Sequence, residues 1–185
     1  MRSLRLALQF LTILPLRISG EVRPEHLRAA LAWFPVAGLM IGGSLAFLAQ
    51  SGLASHGRLG CLLLVAAGVL LTGCLHLDGL ADMADACCAR KDREGRLAVM
   101  KDPRVGAAGA SAIALALLLR WEMTASLAGK PLLRALLAAP VLGRSAMVLA
   151  LRVLPPARAD GLGNSWGPAS ALASTMALGS ILVLP

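Results

Sequence analysis

Apolar residues run along this chain in long blocks separated by short charged connections, not in the alternation expected of strands. A membrane-crossing helix needs about 20 apolar residues. Five runs approach that measure: 31–54, 59–77, 105–128, 132–154 and 169–185. The pattern predicts an all-α, polytopic helical membrane protein with about five transmembrane helices, in one integral membrane domain over residues 1–185. The fifth run stops inside an apolar stretch, so the chain is expected to be C-terminally truncated. Residues 1–20 imitate a signal peptide, with Arg2 and Arg5 ahead of an apolar segment. They hold Pro15 and no small-x-small cleavage site, so a retained membrane-associated segment is expected.

Composition agrees with the pattern. Hydrophobic residues make up 57% and charged residues 15%, against roughly 45–50% and about 25% in soluble domains. A disordered chain is excluded and a soluble globule disfavoured. The net charge of +8 raises the question of nucleic acid, but basic residues flanking spans and facing anionic lipid explain it better. With no Tyr and three Phe, a base-stacking surface is poorly supplied. The lipid bilayer is the expected partner, and nucleic acid is not.

The basic residues are unevenly placed. Residues 1–30 and 78–104 are rich in Arg and Lys, whereas the turns before the second and fourth runs hold Arg58 and Lys130. This bias puts 1–30, 78–104 and 155–167 on the cytoplasmic side, with the N-terminus inside. Cys61 and Cys74 lie in an apolar run and are expected as small buried hydrophobes. Cys87 and Cys88 complete a set with no metal-ligand spacing and no disulfide framework. Gly38 and Gly42 form a GxxxG that permits close helix packing.

The acidic residues carry the candidate chemistry. Six of the ten fall between 78 and 102, and Asp78, Asp82 and Asp85 follow one another at i, i+4 and i+7. At about 100° per residue they lie within roughly 60° of one another on a helix face. The stretch is read as a direct continuation of the second run, which puts the carboxylates near its cytoplasmic end. Three like charges there repel one another and are costly beside lipid unless neutralised. A divalent cation fits: oxygen ligands suit Mg²⁺, which takes one or two carboxylates, waters and substrate phosphates. The plainer alternative is a charged helix end pairing with nearby arginines. His76 lies close to this face and could serve metal or substrate.

The same loop holds Lys101-Asp102-Pro103-Arg104, followed by Gly106 and Gly109. Lys101 and Arg104 offer donors to phosphate, and the two glycines permit close backbone approach at the head of the third run. For Arg90 to Arg96, anchoring on the inner side suffices. Arg144 is an intramembrane cation whose partner is expected to be the Asp cluster or a ligand anion. Together these residues point to a membrane phosphotransferase whose metal bridges phosphates while an Asp orients or deprotonates a hydroxyl. No P-loop pattern occurs.

The order of motifs resembles the cobalamin-5′-phosphate synthase (adenosylcobinamide-GDP ribazoletransferase) family. The matching pieces run from Leu8-Gln9-Phe10-Leu11-Thr12, through Trp33-Phe34-Pro35 and His76-Leu77-Asp78-Gly79-Leu80-Ala81-Asp82, to Met100-Lys101-Asp102 and Gly143-Arg144. The resemblance implies a Mg²⁺-dependent enzyme of the inner membrane, with its active site on the cytoplasmic side. It would join adenosylcobinamide-GDP to α-ribazole or its 5′-phosphate and release GMP. By the same resemblance, Asp78, Asp82 and Asp85 would hold the metal, with one of them acting as base; Asp82, Asp85 and, from its place beside that face, His76 are the catalytic candidates. Lys101, Arg104 and Arg144 would bind the phosphates, with Asp102 beside them among the substrate-binding residues. Met83 and Ala86 stand where the family pattern has Thr and Gly, and Pro103 and Ala108 where it has Ser and Phe. The Asp register is also similar to that of CDP-alcohol phosphotransferases, one alternative. A membrane cation transporter is the alternative from another class.

Overall fold

The computed structural model describes residues 2–18 and 20–183. They form helices α1 (Arg2–Leu11), α2 (Pro24–Leu31), α3 (Phe34–Gln50), α4 (Gly57–Leu71), α5 (Leu75–Cys88) and α6 (Arg93–Val99). After these come α7 (Ala107–Ala125), α8 (Gly129–Val153), α9 (Leu162–Trp166) and α10 (Ala171–Val183), with a 3₁₀ turn at Leu53–His56. The described residues contain no strand, as the block pattern predicts.

Among the described residues, the five expected spans become at most four. The 3₁₀ turn with α4 (Leu53–Leu71), α7 and α8 are each long and apolar enough to cross, and α2 with α3 makes a fourth span bent by 55°. Pro35 explains the bend. It has no N–H for the Leu31 carbonyl four residues back, and its ring crowds that carbonyl, so α2 stops at Leu31. α10 has 13 residues, about 20 Å of helix against a hydrocarbon core of about 30 Å. The last two residues of that expected span, 184 and 185, lie outside the described residues.

The second expected run is interrupted. α4 ends at Leu71, and Gly73 and Cys74 both take left-handed backbone, with φ of 57° and 60°. The acidic stretch is therefore a separate helix, α5, and not a continuation of the span. Cys74 is exposed, contrary to its expected burial, because it sits in this break; Cys61 is buried in α4. Residues 13–18 leave α1 as extended chain, and the Ile13 amide donates to the Leu71 carbonyl at 2.9 Å, tying that chain to the break.

α3 and α8 form the most extensive helix pair. A Cβ at Gly38 would stand 2.6 Å from the Pro140 oxygen, and one at Gly42 2.6 Å from the Leu136 oxygen. Pro140 cannot donate to the Leu136 carbonyl, and that freed oxygen is the one lying against Gly42. The GxxxG is thus a helix seam, and it fixes Arg144 one turn beyond Pro140. α1 is part of the core: Leu6, Ala7, Leu8 and Leu11 are buried with Leu31, Phe34, Val148 and Trp166. Phe10, Phe34 and Trp166 meet at ring separations of 4.8 to 6.0 Å.

Candidate active site

α5 packs beside α7, and Asp85 is the joint between them. Its carboxylate accepts the Gly106 amide at 2.7 Å on one oxygen and the Gly109 amide at 2.8 Å on the other. These are unpaired first-turn donors of α7, which favour an anion. Gly106 and Gly109 were expected to approach a phosphate; here they approach Asp85, which fills the space a Cβ would need at either position.

Asp78 and Asp82 remain on the face of α5, one turn apart. No group of three His, Cys, Asp or Glu side chains converges closely enough for an ion among the described residues. The expected set of three carboxylates is divided here, with Asp85 held at the head of α7. Two carboxylates still match the donor set of Mg²⁺, which completes its shell with water and phosphate oxygens. The Asp82 carboxyl is held above its ordinary range, by partial burial first and then by the charges of Asp78 and Asp85, with Arg158 opposing. His76 is pushed down to about 4, by partial burial first and then by the charges of Arg144 and Arg120. It is neutral at physiological pH.

The basic loop is less open than its sequence implies. Arg104 folds back on Asp102, with its Nε and Nη2 donating at 2.9 and 2.6 Å, and these bonds hold the Asp102 carboxyl down to about 2. Lys101 donates to Asp160 at 2.5 Å, which lowers the Asp160 carboxyl. Arg93 donates to the Ala157 carbonyl at 2.7 Å. The segment after α8 is therefore clasped to the loop around α6, and Arg158 is brought within electrostatic reach of Asp82.

Arg144 is buried, and its Nε and Nη2 have no hydrogen-bond partner among the described residues. The expected pairing with the Asp cluster does not form among the described residues; Arg144 lies near His76 and Arg120 instead. Arg158 and Asp160, which the sequence reading leaves out, are the charges that this clasp brings beside the loop. The signal was present, since Pro155-Pro156 and Gly161 bracket a charged turn much as Pro103 and Gly106 do around Arg104.

The description "Cobalamin-5-phosphate synthase" belongs to a protein-family model that matches residues 3–185. The chain belongs to this family. A cobalamin-5-phosphate synthase relative from Pseudomonas paraeruginosa, named adenosylcobinamide-GDP ribazoletransferase, is 46% identical over 168 residues, covering 89% of this chain and 68% of its own length. One of the same name from Pseudomonas aeruginosa is 43% identical over 166 residues, with 89% and 68% covered. Another from Bradyrhizobium diazoefficiens is 37% identical over 185 residues, with 97% and 71% covered. No solved structure matches the chain. The resemblance read from the motifs is borne out at the level of the family and of the helical membrane fold.

Proposed function

We propose that this enzyme joins adenosylcobinamide-GDP to α-ribazole or its 5′-phosphate and releases GMP, with Mg²⁺ held at the α5 face. The relatives' shared name supports the reaction. The observation that carries the site is the pairing of Asp78 and Asp82 one turn apart, with Asp85 anchoring their helix to α7. Mg²⁺, when bound there, would neutralise phosphate charge as the pyrophosphate bond breaks. Asp78 and Asp82 would hold it.

The ribose hydroxyl forms a new O–P bond to the cobinamide-side phosphorus, and the P–O–P bond to GMP breaks. The hydroxyl proton passes to Asp82, which the Asp85 joint with α7 leaves free on this face. Neutral His76 offers one donor and one acceptor nitrogen beside the carboxylates. Lys101, Arg104 and Arg144 supply cationic donors to the phosphates, and Asp102 holds Arg104. The concentration of Lys and Arg at 90–104 supports a cytoplasmic position for this face, within an inner membrane.

The test is GMP release by the membrane-reconstituted protein fed adenosylcobinamide-GDP and α-ribazole, with and without chelator. Expected results are release dependent on both α-ribazole and Mg²⁺, and a fall beyond about tenfold in Asp82→Asn with membrane insertion unchanged. Turnover that survives chelator, or a CDP-activated alcohol donor used in its place, overturns the reading.

A further inference from the structure

Arg144 and Arg120 stand on two different spans, α8 and α7, and their charges bear on the same His76 ring and on each other. Neither makes an ion pair among the described residues. Arg144 is only 7% exposed, with two guanidinium nitrogens unpartnered. Arg120 reaches toward α4, where a Cβ on Gly68 would stand 3.5 Å from its Nη2. Its neighbour along α7, Glu122, does not compensate it, because that carboxylate pairs with Arg58 at 2.6 Å. Arg120 is exposed whereas Arg144 is buried, and a buried cation without a partner is costly unless an anion joins it.

A second feature meets the same place. The α4–α5 break, with its left-handed Gly73 and Cys74, lies one residue before α5 begins. The positive end of α5, which starts at Leu75, adds to the field there.

We infer that buried Arg144 and exposed Arg120 together form a phosphoryl seat at the N-terminal end of α5, and that Arg120 is a substrate-binding residue. Resting on the proposed reaction, the seat takes one phosphate of the donor's pyrophosphate, with the other toward Asp78 and Asp82.

The experiment measures binding of inorganic pyrophosphate, under chelator, to the whole chain in phosphatidylcholine nanodiscs. Arg120→Gln and Arg144→Gln are expected each to weaken it by about tenfold or more, with Arg120→Lys retaining most of it and Arg90→Gln unchanged. Thermal unfolding identifies any variant that fails to fold, and Arg120→Lys keeps the test open if Arg120→Gln is one of them. Binding that is unchanged in folded Arg120→Gln, or that Arg120→Lys loses to the same degree as Arg120→Gln, overturns the seat. If phosphatidylglycerol in the disc displaces pyrophosphate, the seat is a lipid-headgroup site and its assignment to the donor is overturned. Competition by adenosylcobinamide-GDP supports that assignment. Arginine-dependent pyrophosphate binding without such competition leaves the phosphoryl seat standing and overturns the proposed substrate. Normal turnover together with Arg120-independent binding does the reverse.

Discussion

The Asp85 carboxylate accepts the Gly109 amide proton at 2.8 Å, so the acidic helix and the α7 span meet at a shared electrostatic joint. Gly106 completes it at 2.7 Å. The position of Asp78 and Asp82 over the α7 span follows from that joint, because nothing else on α5 bonds to α7 through a side chain among the described residues.

Gly109→Ala therefore tests how the site is held. Its methyl group would run into the Asp85 carboxylate. The variant should lose about 1–3 kcal/mol of stability, seen as a lower unfolding midpoint in detergent micelles, and turnover should fall by more than about tenfold. Gly43→Ala is the control. Nothing lies within 4 Å of that Cβ, and Ala in place of Gly in a helix is worth up to about 1 kcal/mol. Gly43→Ala should be neutral or more stable.

Lys101 and Asp160 can be separated by kinetics. Both side chains are at least half exposed, so the pair contributes no more than about 1 kcal/mol to stability. If Lys101 turns from Asp160 to a substrate phosphate, Lys101→Ala should raise the donor's KM by about tenfold. Asp160→Asn releases the lysine and should change KM by less than about threefold. Equal effects from both would mean that the clasp between the loops matters more than the cation.

The helix seam makes a further prediction. Gly42 lies against the Leu136 carbonyl that Pro140 leaves without a partner. Gly42→Leu must push α3 and α8 apart, since a backbone oxygen cannot swing away as a side chain can. A loss of 2 kcal/mol or more is expected, at about the scale of overpacking, with reduced donor binding because α8 carries Arg144. Unfolding midpoints and an equilibrium binding assay measure the two effects. An unchanged midpoint would show that the seam is not closed in the membrane.

Residues that repeat at helical spacing were legible in advance. The register of Asp78, Asp82 and Asp85 on one helix, the interior position of Arg144 and the GxxxG seam follow from periodicity and from the cost of charge in lipid. What periodicity cannot show is which partner a side chain takes. Asp85 shares the face of Asp82, yet it bonds to Gly106 and Gly109, more than 20 positions away. The break after Leu71 was hidden because a cysteine holds its second left-handed position, where Gly or Asn is the usual signal. The bend before Phe34 was readable from Pro35, but a count of apolar residues passes over it. Arg158 escaped because its loop approaches α5 only through contacts made by Lys101 and Arg93.

His76 links the site to acid stability. Its pKa of about 4 lies below the 6.5 of an unperturbed histidine. Between those values the unfolded chain binds more protons than the folded one, so this group makes stability rise with pH. Its contribution is fully present above pH 6.5, falls as the pH drops through that window, and changes no further below about 4. Asp82, with its raised pKa, acts in the opposite sense just above the ordinary carboxylate range. The difference between the parent and His76→Gln therefore isolates the histidine. The unfolding midpoint of His76→Gln should vary less with pH across that window, and the parent's His76 ring should give the chemical shifts of a neutral imidazole at pH 6. Parallel pH profiles for the two proteins would mean that His76 is neither partly buried nor faced by Arg144 and Arg120 as described, because burial first and those charges second keep a proton off its ring.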